Sequence, residues 1–204
     1  MNNITEILHD KGYDFKYVAS LMNIDPSLLE LWAKKEYTMS INQAIRLSEI
    51  LNVSLNHIYL DLNIKTLDIS QLDNFQINIL YQIINKNRRF KRKKISSKTI
   101  NLINTEDLGE RIKFIRTEIL GWTQNEIAKA FNVSRNTSKY WDSGMYFTSL
   151  DRARDLSIIS HISLDFILLP KHTLELSSYG LNNDLFQILE ELVMYFNMEN
   201  KNAK

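Results

Sequence analysis

Residues 123–142, TQNEIAKAFNVSRNTSKYWD, contain two helix starts separated by a short turn. Thr123 and Glu126 have the spacing of a capping box, in which each side chain accepts a hydrogen bond from the other residue's backbone N–H. Ser134 is a favoured cap for a second helix, which we expect to end at about Asp142, and Gly144 offers the left-handed backbone that stops a helix. The stretch therefore predicts a helix, a tight turn and a second helix.

The pattern around this stretch occurs twice, since residues 14–60 overlay residues 123–169 without a gap. We call these segments the first and the second repeat. Their matched positions are mostly apolar with helical spacing, which indicates a duplicated domain in an all-α protein. Five matched pairs are Ala19/Ala128, Trp32/Trp141, Tyr37/Tyr146, Leu47/Leu156 and Ile58/Ile167.

We expect four segments: a domain over 1–62, a connector over 63–106, a second domain over 107–170 and a tail over 171–204. Each domain is expected to contain five helices, and the first helix of the second domain should run from Glu110 to Leu120.

The motifs LGERIKFIR, TQNEIA, NVSRNT and WDSG, all within residues 107–169, resemble the Cro/C1 repressor family of helix-turn-helix proteins, the XRE family. The resemblance implies tandem lambda-repressor-like domains, and it implies that the third helix of the second domain enters the major groove of DNA. It assigns DNA contacts to Gln124, Ser134, Arg135, Asn136, Thr137 and Lys139. Arg can pair with guanine and Asn with adenine. The alternative is that these are solvated polar residues of an amphipathic helix.

The resemblance also implies structural roles on the second repeat. It pairs Arg111 with Asp142 and places Trp141 in the core. Ser138 departs from the family pattern, which has an apolar residue there. Its hydroxyl can bond a carbonyl of the preceding turn, while the lost apolar volume should cost about 1–3 kcal/mol.

The first repeat keeps the apolar scaffold but changes the surface of its third helix. Asp14 and Asp25 are expected helix caps, with Pro26 at the first helical position after Asp25. That helix carries Asp25 and Glu30 where the second repeat has Ser134 and Lys139, and it adds Leu28 and Leu31. We interpret Leu28 and Leu31 as partner-binding residues of a degenerate domain that does not read DNA. A weak DNA-binding variant is the alternative.

The connector carries most of the positive charge. Within residues 86–94 seven of nine residues are basic, and Arg88, Arg89, Lys91 and Arg92 are the candidate phosphate contacts. A solvated linker is the other interpretation. Apolar residues at helical spacing predict a helix from Ser70 to Asn85, which could close the first domain or form a dimer seam.

The tail predicts an amphipathic helix over residues 183–196. Its apolar stripe contains Leu185, Ile188, Leu189, Leu192, Val193 and Phe196, and such a stripe needs a partner. Packing on the second domain and packing on another subunit are both open, and we favour a homodimer because helix-turn-helix proteins commonly use two-fold symmetry.

Several classes of protein are disfavoured. The chain has no Cys, no long apolar run and no signal-peptide pattern, which favours a cytoplasmic protein. It contains no phosphate loop, nucleophile elbow or metal-binding motif, so we expect neither an enzyme nor a cofactor.

We therefore expect a regulator of transcription, a repressor of phage or mobile-element type, that binds double-stranded DNA. The alternative is a protein-binding inhibitor or adaptor, and an RNA-binding protein is a third interpretation.

Overall fold

The computed structural model describes residues 3–60, 63–84, 107–145, 149–170 and 172–202. The chain is mostly helical, as expected. The helices are α1 (Asn3–Lys11), α2 (Phe15–Met22), α3 (Pro26–Ala33), α4 (Ile41–Leu51), α5 (Leu55–Tyr59), α6 (Asn74–Ile84), α7 (Leu108–Phe114), α8 (Gln124–Ala130), α9 (Arg135–Asp142), α10 (Leu150–Ser160), α11 (Leu164–Leu168) and α12 (Asn183–Asn202). Helix α7 continues as a π-helical turn over Ile115–Ile119.

The repeat is visible in the secondary structure. Helices α3, α4 and α5 have the same lengths as α9, α10 and α11, each 109 residues further along the chain. Left-handed backbone recurs at the same spacing, in the pairs Gly12/Gly121, Asn23/Asn132, Lys35/Gly144 and Asn52/His161. The local conformations of the two repeats are therefore closely matched.

A two-stranded antiparallel sheet was not expected from the sequence. Strand β1 (Thr66–Asp68) pairs with β2 (Glu175–Ser177), and these strands are also 109 residues apart. Leu67 lies opposite its own repeat counterpart, Leu176, so the pairing has the register of a two-fold axis through that residue pair. The structural repeat thus extends beyond the helices that the sequence pattern identified.

The chain divides into two compact units. Unit 1 consists of Met1–Ile64 with Thr148–Asp155, and unit 2 consists of Lys65–Phe147 with Leu156–Lys204. Helix α10 therefore contributes residues to both units, and the unit boundaries do not follow the repeat boundaries.

In unit 1, α1 packs on α3 and α5, while α2 packs on α3 and α4. The core is aliphatic, because the helices present apolar residues at helical spacing. Asp14 and Asp25 cap α2 and α3 as predicted, and Pro26 begins α3. Fully buried members of the core are Val18, Ala19, Leu29, Ala44, Leu47 and Leu55.

In unit 2, α7 packs on α9 and α11, and α8 packs on α9. Gly109 makes the closest approach, because a Cβ built there would lie 2.1 Å from the backbone nitrogen of Gly144. Only a residue without a side chain fits between the start of α7 and the end of α9.

Helices α6 and α12 pack on each other in unit 2. The helix expected over Ser70 to Asn85 is observed as Asn74–Ile84. Gln76 of α6 donates to Asn200 of α12 over 3.0 Å. Leu189, Val193 and Phe196 of the tail stripe are buried within the chain. A second subunit is therefore not needed to cover them, although Ile188 is 53% exposed.

Within the described ranges, none of the helices combines the length and the apolar character that a membrane crossing requires.

Candidate nucleic-acid interface

Helices α8 and α9 are joined by a tight turn. Thr123 and Glu126 form the predicted capping box at the start of α8, with hydrogen bonds of 2.7 and 3.3 Å. Asn132 takes left-handed backbone in the turn, with φ of 50°. Ser134 then caps α9 by accepting from the backbone N–H of Thr137 over 3.1 Å. Local polar groups thus position α9, which ends at Asp142 as predicted, and Gly144 follows in the left-handed conformation.

The outer face of α9 is polar and exposed. Arg135, Asn136 and Lys139 are exposed, and within the part of the chain that the structure describes they form no side-chain hydrogen bond or ion pair. Ser134 is exposed and Thr137 is half-buried, and their hydroxyl oxygens lie 2.9 Å apart. Five of the six residues expected to contact DNA therefore lie together at the start and along one side of α9.

The sixth residue, Gln124, is held by the protein. Its side-chain amide donates to Asp142 Oδ2 over 2.9 Å, and its side chain lies at the first turn of α8. Gln124 therefore links the starts of α8 to the end of α9, and a contact with DNA would have to use its remaining polar capacity.

The predicted pairing of Arg111 with Asp142 is wrong. Asp142 pairs with Arg116, which donates from Nε over 3.0 Å and from a terminal nitrogen over 2.7 Å. Arg116 also donates to the carbonyl of Trp122 over 2.7 Å. We call the Arg116–Asp142 pair the clamp. Both side chains are at least nine-tenths buried.

Arg111 has a different role. It is buried and donates to the carbonyls of Ile167 and Leu168 at the end of α11. A cation is favourable there because the last carbonyls of a helix carry partial negative charge. Burial lowers the pKa of Arg111, and the nearby carboxylate of Asp107 opposes that effect.

Sequence reasoning missed Arg116 because its partner depends on the π-helical turn. A π-helical turn changes the direction of the side chains around it and is frequent at functional sites. Arg116 lies in that turn, and its carbonyl accepts from the N–H of Trp122 over 2.7 Å. The only sequence signal was an Arg at an apolar periodic position.

The core beneath α9 agrees with the predictions. Trp141 is 1% exposed and packs edge-on against Phe131, with ring centroids 5.4 Å apart. Ser138 is fully buried, and its hydroxyl donates to the carbonyls of Arg135 and Gln124. The bond to Arg135 is the predicted one to the preceding turn, while the bond to Gln124 ties α9 to α8.

The corresponding face of the first repeat is apolar. Leu31 of α3 is 36% exposed, and Leu28 is half-buried. Three further exposed residues, Tyr13, Tyr17 and Leu21, follow at intervals of four along α2 and just before it. We call these five residues the apolar face. Sequence reasoning identified Leu28 and Leu31 but missed the others, whose four-residue spacing was a usable signal.

Asp25 is fixed at the start of α3. Its carboxylate accepts from the hydroxyl and the backbone N–H of Ser27, and these bonds lower the pKa of Asp25. Asp25 therefore keeps its negative charge, which disfavours contact with phosphates at this end of α3.

Two further observations concern the rest of the chain. The candidate phosphate contacts Arg88, Arg89, Lys91 and Arg92 lie outside the described residues. Among those described, no three His, Asp or Glu side chains are grouped so that they could hold a metal ion.

The chain matches no protein-family model, no curated protein sequence and no solved structure.

Proposed function

We propose that this protein binds duplex DNA through the exposed face of α9 and regulates transcription, as a repressor. The observation that carries the proposal is that Arg135, Asn136 and Lys139 are exposed and unpartnered on a helix whose position is set by the turn at Asn132. A helix of this kind fits the major groove, and its first residues can reach base edges. The resemblance of residues 107–169 to tandem lambda-repressor-like, Cro/C1-type domains supports the same function.

The rigidity of the support favours DNA reading over a merely solvated helix. The clamp, the Gln124 amide and the Ser138 hydroxyl all hold the relative position of α8 and α9. Reading bases requires side chains held within about 0.5 Å of their productive position, and such a shell supplies that precision.

We propose that the protein binds as a homodimer. Each chain presents one polar α9 face, and a two-fold symmetric DNA site needs two. The stripe of α12 that remains exposed, with Ile188 and Tyr195 at more than half of their full exposure, is the proposed contact. Light scattering of the full chain, alone and with an Ile188→Glu substitution, tests the dimer.

DNA binding is tested by selecting duplexes from a random pool with the full chain and then measuring affinities by fluorescence anisotropy. Arg135→Ala should weaken binding to the selected duplex by about 1–3 kcal/mol and relax the base preference at one position. Lys139→Ala should weaken selected and scrambled duplexes by similar factors if it contacts phosphate.

Lys34→Ala is the matched control, because it removes an exposed cation just after α3 of the first repeat. It should leave affinity for the selected duplex unchanged. Equal binding of selected and scrambled duplexes by the natural chain, with no effect of Arg135→Ala, would overturn the DNA-reading proposal.

A second candidate function is that of an adaptor or inhibitor that binds another protein. The apolar face favours it, because Tyr13, Tyr17, Leu21 and Leu31 are each more than a third exposed on one pair of helices. Tyr17→Ser with Leu31→Ser should then abolish the partner's binding while leaving DNA affinity intact. Loss of DNA affinity in this variant would instead assign the apolar face to assembly on DNA.

A further inference from the structure

Unit 1 encloses a cavity of about 150 Å³. Three aromatic side chains, Trp32, Tyr37 and Tyr59, line it together with apolar residues. Three charged residues also line it: Lys35, Asp151 and Arg154. A small cavity with apolar walls and a few polar groups is the usual form of a small-molecule site.

Two N–H groups of the lining residues are buried without an acceptor. Trp32 is 3% exposed, and its Nε1 has no hydrogen-bond partner. The Nε of Arg154 is likewise buried and unpaired, while its terminal nitrogens face Asp155 at 3.1 Å and Asp151 at 3.6 Å. Each unmet buried donor costs about 1–3 kcal/mol, so a molecule that supplies acceptors gains by entering.

The acidic group of the cavity is already occupied. Tyr59 donates its hydroxyl to Asp151 over 2.8 Å. Burial, followed by that hydrogen bond, raises the pKa of Tyr59 above its usual range, so the phenol stays neutral. Lys35 forms no ion pair with any described residue. Two cations and one engaged carboxylate therefore line the cavity, which favours an anion.

We propose that this cavity binds a small organic carboxylate whose body is about the size of one aromatic ring. A dry cavity of roughly this volume accepts a benzene-sized molecule. The carboxylate oxygens would accept from Trp32 and Arg154, with the ammonium of Lys35 as counter-ion, while the aromatic walls contact the ring. A bare inorganic anion would leave those walls without contact. The proposal does not depend on DNA binding.

The indole N–H signals of the full chain, in a ¹H–¹⁵N spectrum, report occupancy directly. Titration with benzoate should shift the Trp32 signal saturably. Trp122 and Trp141 belong to unit 2 and serve as internal controls that stay in place. Benzamide keeps the ring and an acceptor but has no charge, and we expect it to bind about 10-fold more weakly, a difference of about 1.4 kcal/mol.

Calorimetry on variants assigns the contacts. Trp32→Phe keeps the ring and removes the N–H, and Arg154→Met removes the second donor; each should weaken benzoate by about 10-fold or more. Lys35→Gln gives an exposed variant that preserves the core. Arg152→Met removes a cation of the same helix that does not line the cavity, and it should bind benzoate normally.

Three results would overturn the proposal: no Trp32 shift with benzoate at about 10 mM, equal affinities for benzoate and benzamide, or equal shifts of all three indole signals. Each leaves the DNA-binding proposal untouched, since that proposal concerns α9.

Discussion

The two repeats have the same helices but hold them by different chemistry. The second repeat uses the buried clamp between Arg116 and Asp142, and the first repeat has Ile7 and Ala33 at those positions, both buried. A buried ion pair is often no more stabilising than apolar residues of similar volume. The helix arrangement therefore does not require the clamp. We infer that the clamp instead holds Gln124 and the ends of α8 and α9 in place beneath the polar face.

Breaking the clamp is expected to have the largest effect. Arg116→Ile should lower the free energy of unfolding by about 3–5 kcal/mol, because it leaves the carboxylate of Asp142 buried without its cation. The double variant Arg116→Ile with Asp142→Ala imports the pair of the first repeat, and it should lose much less than the two single variants together. Urea denaturation of all four proteins measures the coupling. Strict additivity would show that the two repeats do not use equivalent positions.

The close approach of α7 to α9 comes next. Gly109→Ala should lower the free energy of unfolding by about 3 kcal/mol, because its Cβ would collide with the backbone of Gly144. Gly12→Ala in the first repeat is the control, since no atom lies within 4 Å of a Cβ there. The control should cost only about 1 kcal/mol, from its left-handed backbone. Similar losses in the two variants would contradict the close contact.

A smaller effect is expected where the repeats use different residues for one backbone conformation. Lys35 and Gly144 both have positive φ, at 58° and 66°. Lys35→Gly should stabilise the protein by about 0.5–1 kcal/mol, since glycine adopts this conformation without the steric cost of a Cβ. Gly144→Ala should do the opposite. Thermal unfolding monitored by circular dichroism checks both signs, and a destabilised Lys35→Gly would refute the argument.

The smallest effect concerns the sheet shared by the two repeats. Asp68 lies opposite Glu175, and burial, opposed by His172, raises the pKa of Glu175. A carboxyl with a raised pKa in the folded state destabilises the fold above that pKa and not below its unfolded value. Glu175→Gln should therefore stabilise by about 0.2–1 kcal/mol at pH 7, as expected for removal of a like-charge pair.

The advantage of Glu175→Gln should disappear as the pH falls below about 4, where the natural carboxyl is protonated in both states. Urea denaturation at several pH values measures it. A pH-independent difference would show that the substitution acts through packing rather than charge.

Local features were predictable from the sequence because they depend on neighbours in the chain. The caps at Thr123 and Ser134, and the helices that follow them, need only residues three positions apart. The exposed polar face of α9 followed from the same helical spacing. The duplicated apolar pattern likewise predicted a mostly helical chain, because burial of such a pattern requires helices.

Features that join distant residues needed the folded chain. The partner of Asp142 depends on a π-helical turn 26 residues away, and the sheet joins segments more than 100 residues apart through strands of three residues, too short to show a period. The cavity combines residues of α3, α5 and α10, which no local pattern connects. Sequence alone specified the repeated helices and their ends, whereas tertiary packing selected the pairings, because side-chain partners are chosen by distance in space and not along the chain.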